Sequence, residues 1–116
     1  MADWIFDHNG NAALILDFDC IRNNQGKVVA WISGNNVYNV NGDHAGWFEG
    51  GILYDRQNLV LDFLRNATGP IPYRPGLGGT PGMPGFAGRP GRPGFAGVPG
   101  RPGRSGWSIQ NLKDYY

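Results

Sequence analysis

The sequence predicts an all-β protein, a shallow pseudo-fourfold barrel or toroid made of four β-hairpin repeats of 16 residues each. Two sets of apolar residues recur at this spacing, the first at Ile5, Ile21, Val37 and Leu53, and the second at Ile15, Trp31, Trp47 and Phe63. Because the period is even, equivalent side chains fall on the same face of a strand in every copy. Four units that cannot bury their apolar faces alone must pack together, and closing the ring removes exposed strand edges. We therefore expect eight short antiparallel strands.

Each unit contains a short strand, a four-residue turn and a longer returning strand. The turn opens with Asp or Asn, whose side chain bonds the backbone ahead of it, at Asp7, Asn23, Asn39 and Asp55. It closes with residues that tolerate positive φ, at Gly10, Gly26, Gly42 and Asn58. The links between units suit tight turns at Gly34-Asn35 and Gly50-Gly51, and suit them less at Phe18-Asp19 and Asn66-Ala67.

A second periodicity follows the first, because glycine occupies every third position from residue 76 to residue 106. A strict Gly-X-Y run rich in proline is the composition of collagen-like chains. We predict a repeat domain at 1–75, a polyproline II tail at 76–106 and a short C-terminal docking segment at 107–116. As a collagen-like or other bundled polyproline II segment, the tail would reach roughly 90 Å at about 3 Å per residue. Its glycines, which we expect to pack against other chains, are Gly76, Gly79, Gly82, Gly85, Gly88, Gly91, Gly94, Gly97, Gly100, Gly103 and Gly106.

The tail admits three interpretations. A collagen-like bundle would explain the strict period, since glycine is required where chains pack tightly around an axis. A disordered linker is the second interpretation. The third is nucleic-acid binding, because Gly88-Arg89-Pro90 faintly resembles the core of minor-groove AT-hooks. The basic residues that flank that motif are missing and the rest of the chain is acidic, which disfavours nucleic acid as a partner.

The net charge of +1 conceals an asymmetry between the two parts. Residues 1–75 carry five basic and eight acidic side chains, a net charge of −3, whereas residues 76–116 carry five basic side chains and one acidic, a net charge of +4. The tail charge comes mainly from Arg89, Arg92, Arg101 and Arg104. Head-to-tail attraction between subunits and a merely solubilising tail both fit this pattern.

Two stretches resemble the bacterial four-fold β-flower proteins. They are Ser33-Gly34-Asn35-Asn36-Val37-Tyr38-Asn39 and Gly46-Trp47-Phe48-Glu49-Gly50-Gly51. The resemblance spans about residues 3–75 and extends into the glycine-rich tail. It implies a shallow square barrel with an apolar centre, distantly similar to tubby-type domains, some of which associate with membranes. It supplies no catalytic residues.

No residue pattern indicates a reaction, so we expect no enzyme, no cofactor and no metal. His8 and His44 occupy different positions of the repeat, which disfavours a shared metal site. Cys20 is the single cysteine and is expected to be a small packed thiol. Asp17, Glu49 and Asp62 could pair for acid–base chemistry, but Asp17 and Glu49 fall at links between hairpins, where we expect solvated charges.

Two functions remain. The first is a non-enzymatic structural protein whose β-flower head self-assembles into an oligomer or fibre through the Gly-X-Y tail. The second is a binding module in which the apolar centre holds an apolar ligand, or the head meets a lipid surface, with the tail as spacer. The two apolar sets named above would form the centre or an interface. No signal-peptide pattern and no membrane-spanning stretch occurs, which favours the cytoplasm by default and leaves assembly outside the cell open.

Overall fold

The computed structural model describes residues 2–69, 71, 74–103 and 106–108. Every strand pairs antiparallel with its neighbours, and β1 pairs with β8, so the sheet closes into a barrel in simple sequence order. This confirms the prediction of an all-β closed barrel. The strands are β1 (Ala2–Phe6), β2 (Ala12–Asp17), β3 (Cys20–Arg22), β4 (Val28–Ser33), β5 (Asn36–Asn39), β6 (His44–Glu49), β7 (Ile52–Tyr54) and β8 (Val60–Leu64).

Identical hydrogen bonds close the turns at one end of the barrel. In the third turn the amide of Gly42 donates to the carbonyl of Asn39 at 3.0 Å, and the amide of Asn39 donates to the carbonyl of Asp43 at 2.9 Å. The Oδ1 atom of Asn39 accepts from the amides of Asn41 and Asp43. Asn58 takes the glycine position of the fourth turn with φ of 64°. The Asx side chain and the left-handed residue thus fix the turn together, as the sequence predicts.

A β-bulge follows each of these turns, a feature that the sequence pattern did not reveal. In the first hairpin Ile5 pairs with Leu14, whereas Phe6 pairs with Ala12, so that Ala13 is the extra residue. Equivalent register shifts occur in the other three hairpins. Bulges increase local bending and twist, which is what a barrel of such short strands needs in order to close.

The interior of the barrel receives one side chain from every strand. The cluster consists of Ile5, Leu14, Ile21, Ala30, Val37, Ala45, Leu53 and Leu61. All four members of the first predicted apolar set have no exposed surface. The centre is therefore packed with aliphatic side chains, as expected for a small barrel.

Residues 74–103, here called the strap, run around the outside of the barrel and contain no strand or helix. Strap amides donate to a turn carbonyl in three successive turns: Gly78 to Gly10, Ala87 to Gly26, and Ala96 to Gly42. The molecule measures 37 × 37 × 23 Å, so an extended tail of roughly 90 Å is wrong for this subunit. The physical reason is that the strap finds hydrogen-bond and ionic partners on its own barrel.

Candidate functional site

The second predicted apolar set lies on the outer face of the barrel, beneath the strap, and not around the central axis. Ile15 and Phe63 pack with Trp4, Phe6 and Trp47, and Leu77 of the strap covers part of this cluster. Trp31 packs with Cys20 and Val28 against Phe95 of the strap. The two sets therefore mark opposite faces of the same sheet, and the outer one positions the strap. We treat this outer apolar layer, together with the strap that packs against it, as the candidate functional site.

Three turn glycines bring the strap into backbone contact with the barrel. A Cβ atom on Gly10, Gly26 or Gly42 would lie 2.0 to 2.2 Å from a strap carbonyl oxygen, that of Gly76, Gly85 or Gly94 respectively. All three also have positive φ, between 81° and 90°. The turn position requires glycine twice, for its left-handed backbone and for the closeness of the strap.

Arg22 is the buried junction between barrel and strap in the second hairpin. Its Nη1 donates to the carbonyls of Gly26 in the turn and Ala87 in the strap, both at 2.7 Å. Its Nε donates to Oδ2 of Asp17 at 2.9 Å, and its guanidinium carbon lies 4.4 Å from the centroid of the Phe86 ring. With 3% of its surface exposed, Arg22 is a charge that is stable in the interior because its fork of donors is satisfied.

Strap arginines pair with barrel carboxylates within the same subunit. Arg89 meets Asp19 at 2.6 Å and Asp17 at 3.5 Å, and Arg101 meets Glu49 at 2.9 Å. Arg92 lies 3.8 Å from Asp19 and over the Trp31 ring. The charge asymmetry therefore acts inside the subunit, and head-to-tail attraction between subunits, one of the two explanations that fit the sequence, is not required to satisfy it. Arg104 lies outside the described residues.

These contacts perturb two carboxyl groups. The Arg22 hydrogen bond holds the pKa of Asp17 below its ordinary value, with help from Arg89 and against the effect of burial. The Arg89 hydrogen bond likewise lowers the pKa of Asp19. Asp17 is 8% exposed, so the expectation that it is a solvated link charge is wrong: the arginines draw it into the interface.

Aromatic stacking holds the next stretch of the strap. The rings of Tyr38 and Phe95 are parallel within 3°, with centroids 4.1 Å apart. Phe95 stands nine residues after Phe86, and Tyr38 stands 16 residues after Arg22. The equivalent strap residues Phe86 and Phe95 thus contact the equivalent barrel residues Arg22 and Tyr38 in successive hairpins. The first contact is a cation–π interaction, and the second is a stack of two rings.

The strap glycines of the Gly-X-Y period face away from the barrel. From Gly76 to Gly103, at every third position, no heavy atom lies within 4 Å of the place where a Cβ would stand. None of these glycines has positive φ. Within the described subunit neither steric crowding nor backbone conformation requires glycine there. Gly106, the last of the set, differs, because it has φ of 117° and its carbonyl accepts from the amide of Val60.

A pocket of about 370 Å³ opens between the strap, β1 and the end of β8. Its lining includes the apolar residues Trp4, Phe6 and Leu64, and Met83 of the strap. Asp3 and Arg65 also line it, and the Arg65 guanidinium carbon lies 5.3 Å from the centroid of the Phe6 ring. Thr80 and Met83 occupy the strap positions nine residues before Arg89 and Arg92. In the second hairpin the equivalent strap positions are occupied by Arg89 and Arg92. The pocket therefore lies where the strap has smaller or uncharged side chains in place of these arginines.

The third candidate carboxylate, Asp62, lies inside the barrel wall with 1% of its surface exposed. Its Oδ2 atom has no hydrogen-bond partner among the described residues. Burial, and secondarily the negative charge of Asp7, raises the pKa of Asp62 well above its ordinary value. Asp17, Glu49 and Asp62 each have different surroundings, so the structure does not bring them together as an acid–base pair.

The histidines and the cysteine belong to separate environments. His8 lies beside Trp107, whereas His44 packs between Tyr38 and Trp47 and has a pKa lowered by burial. The thiol of Cys20 donates to the Asp17 carbonyl at 3.3 Å, and burial raises its pKa. In the part of the chain that the structure describes, no three residues of the His, Cys, Asp and Glu types form a group able to hold a metal ion.

The predicted docking segment at 107–116 is described only at its start. Ser108 donates from Oγ to Oδ2 of Asp55 at 2.5 Å, and the amide of Ser108 donates to the carbonyl of Val60 at 2.7 Å. Trp107 lies 6.0 Å from Phe63, measured between ring centroids. Residues 109–116 lie outside the described residues.

The comparison with protein families agrees with this geometry. The chain matches the 4-fold beta flower protein family over residues 3–116. The chain belongs to the 4-fold beta flower family. The match includes the strap as well as the barrel, in agreement with their shared interface. No curated protein and no solved structure is significantly similar to the chain. Among the described residues of this β-flower protein, no helix is both long and apolar enough to span a membrane.

Proposed function

We propose that this β-flower protein is a non-enzymatic structural subunit, in which four hairpin repeats and a collagen-like Gly-X-Y strap form one block that self-associates. The observation that carries the proposal is the open side of the strap glycines, which have empty space beyond them. Glycine at every third position allows another chain to approach the backbone closely, because no side chain stands between the two chains. The outward strap glycines therefore support close packing of a second copy of this chain.

The charged and aromatic residues on the barrel-facing side of the strap support the same proposal. Arg89, Arg101 and Phe95 contact the barrel, so the strap presents a fixed glycine-lined surface, not a freely moving one. A surface ordered in advance costs less entropy when a partner binds. The barrel thus acts as the rigid support of the association surface.

The rival function, an apolar ligand at the barrel centre or a lipid surface, has less support. The interior set at Ile5, Ile21, Val37 and Leu53 has no exposed surface, so these side chains occupy the expected ligand space themselves. The large apolar side chains that are most exposed among the described residues, such as Phe18, Val40 and Val98, lie on different parts of the chain. A dispersed arrangement is typical of ordinary protein surfaces.

Sedimentation velocity of the full chain over a wide range of concentration and salt tests the proposal. We expect a concentration-dependent oligomer that persists in salt, because close packing on glycine depends little on charge. The variant Gly91→Ala is expected to associate more weakly, whereas the matched variant Val40→Ala, at an exposed apolar side chain in the third turn and not on the strap, should behave as the wild type. A wild-type chain that remains monomeric under every condition contradicts the proposed function.

A further inference from the structure

Phe18 is the most exposed of the large apolar side chains that the structure describes, with 75% of its surface accessible. It stands in the link between β2 and β3, directly after Asp17 and before Asp19. A lone exposed aromatic ring is common on protein surfaces and carries no conclusion by itself. Its backbone conformation supplies the second observation.

Phe18 has φ of 55°, in the left-handed region. The equivalent positions of the next two links are Gly34 and Gly50, with φ of 62° and 61°. The link therefore requires a conformation that glycine adopts freely and that a bulky residue adopts only at a cost. An aromatic ring kept in strained backbone and in solvent points to a function of that ring, because folding alone would favour glycine.

The pocket beside β1 and β8 provides a complementary cavity. Its lining includes the apolar side chains of Trp4, Phe6 and Leu64, and its volume of about 370 Å³ is larger than that of a phenyl ring. Aromatic rings in such pockets supply much of the binding energy between subunits. We propose that Phe18 of one copy inserts into this pocket of a second copy. This inference rests on the proposed self-association and names one contact that makes it.

The barrel topology places the ring and the pocket at the same end of the molecule. The links between β2 and β3, β4 and β5, and β6 and β7 share one end of the antiparallel barrel, and so do the start of β1 and the end of β8. Phe18 and the Ala2–Asn66 side of the pocket are therefore neighbouring corners of that end. Two copies related by a twofold axis can each fill the pocket of the other, which predicts a closed dimer.

The charges around the two features are complementary. Asp19, which follows Phe18 in the chain, pairs with the strap residues Arg89 and Arg92, whereas Asp3 and Arg65 belong to the lining of the pocket. Among the described residues no ion pair involves Asp3 or Arg65. In the docked arrangement Asp3 faces Arg89 and Arg92, the arginines that flank Asp19. Such complementarity fixes the orientation of the partner.

The variant Phe18→Gly tests the inference without risk to the fold, because glycine suits the left-handed link. We expect thermal stability equal to or above that of the wild type, and self-association about tenfold or more weaker, as for loss of an aromatic anchor. Val40→Ala, which trims an exposed apolar side chain in another turn, is the matched control and should associate like the wild type.

A mixing experiment identifies the pocket as the partner of Phe18. Met83→Arg places an arginine where the second hairpin has Arg92, so the pocket should be filled and this variant should associate weakly on its own. Phe18→Gly retains the pocket, and Met83→Arg retains the ring. An equimolar mixture of the two should recover heterodimers in analytical ultracentrifugation with one variant fluorescently labelled.

The outcomes separate this inference from the proposed function. Undiminished association of Phe18→Gly, or no heterodimer in the mixture, overturns the contact while leaving self-association through the strap intact. A monomeric wild type overturns both. Loss of association in each variant alone, with recovery in the mixture, is the result that the inference predicts.

Discussion

The glycines of the hairpin turns and the glycines of the strap have opposite structural roles. Gly10, Gly26 and Gly42 have positive φ and touch strap carbonyl oxygens, so a side chain there would collide with backbone. The strap glycines from residue 76 to residue 103 have neither constraint. The fold of a single subunit explains why the turn positions require glycine. It does not explain why the strap positions are glycine.

This difference shows that a strict residue period does not reveal which surface it serves. The turn glycines recur every 16 residues and serve the inner contact of the strap, whereas the strap glycines recur every three residues and line its outer side. The inner face of the strap contacts the barrel through the Arg22 hydrogen bond, the Arg89 ion pair and the stacked Phe95 ring. Variants on the inner face should therefore change stability, and variants on the outer face should change association.

The largest expected effect is on the inner face, at Arg22. Arg22→Met removes the donor that joins the turn to the strap and leaves the buried carboxylate of Asp17 with two longer contacts, to the Cys20 thiol at 3.8 Å and to Arg89 at 3.5 Å. Breaking one partner of a buried pair costs about 3–5 kcal/mol. Urea unfolding should show a loss of about this size, whereas Lys27→Met, at an exposed site of the same turn, should change the free energy of unfolding little. A loss no greater than that of Lys27→Met would show that the strap is not held through Arg22.

A smaller loss is expected at the turn glycine Gly26. An alanine Cβ there would lie 2.2 Å from the Gly85 oxygen, in a backbone with φ of 84°. The left-handed conformation alone costs roughly 1–2 kcal/mol, and displacement of the strap adds to it. Gly34→Ala is the matched control, because φ is 62° there and no atom lies within 4 Å. Equal losses in the free energy of unfolding for Gly26→Ala and Gly34→Ala, measured in urea, would show that the strap contact does not contribute to the effect at Gly26.

Changes of pH should act on barrel and strap in opposite directions. Asp62 has a raised pKa, so the folded state binds more protons than the unfolded state as pH rises above about 4. Stability should then fall with rising pH until the folded pKa is reached, with a slope of at most about 1.4 kcal/mol per pH unit. Asp62→Asn should abolish this decline in urea unfolding measured at several pH values. A decline that persists in the variant would assign it to another group.

Asp17 and Asp19 give the opposite sign. Their pKa values are lowered by Arg22 and Arg89, so their contribution is present above the unfolded value of 3.8 and is lost as pH falls below it. The strap should therefore loosen in acid. The protection factors for hydrogen exchange at the amides of Ala87 and Ala96, which donate to turn carbonyls, should fall below about pH 4 before those of the strand amides do. A simultaneous fall of both sets of protection factors would contradict separate behaviour of the strap and the barrel.

The smallest effect on stability is expected on the outer face, at Gly91. Alanine meets no atom there and has an allowed backbone, so the free energy of unfolding should stay within about 0.5 kcal/mol of the wild type, or rise slightly because the unfolded chain loses freedom. The same variant should lose association. Circular dichroism during thermal unfolding provides the measurement of stability.

Much of the barrel could be predicted from the sequence, because its determinants are local. Asp55 at the start of the last turn and Asn58 at its end specify that turn through side chain and φ, and the even spacing of Ile5 and Ile21 assigns them to one face. The sequence did not assign the faces, since Ile15 and Trp31 line the outside of the barrel and not its axis. Their partners lie far along the chain, in the strap.

A signal for the strap does exist in the sequence, as a nine-residue period superimposed on the three-residue one. Gly76-Leu77-Gly78, Gly85-Phe86-Ala87 and Gly94-Phe95-Ala96 are spaced by nine, and each meets one turn of a 16-residue unit. Matching these two periods would have placed the strap on the barrel. The pocket could not be predicted in this way, because it arises where Thr80 and Met83 depart from the pattern, and only the three-dimensional structure shows that nothing replaces the missing arginines among the described residues.

The most direct test of the central claim measures association and stability together for Gly91→Ala. Sedimentation equilibrium and urea unfolding should be compared among the wild type, Gly91→Ala and Val40→Ala, all as full chains. We expect Gly91→Ala to unfold like the wild type and yet to associate at least about tenfold more weakly, because a methyl group is forced into a close backbone contact. Unchanged association of Gly91→Ala would contradict the claim that the outward strap glycines form the contact between subunits.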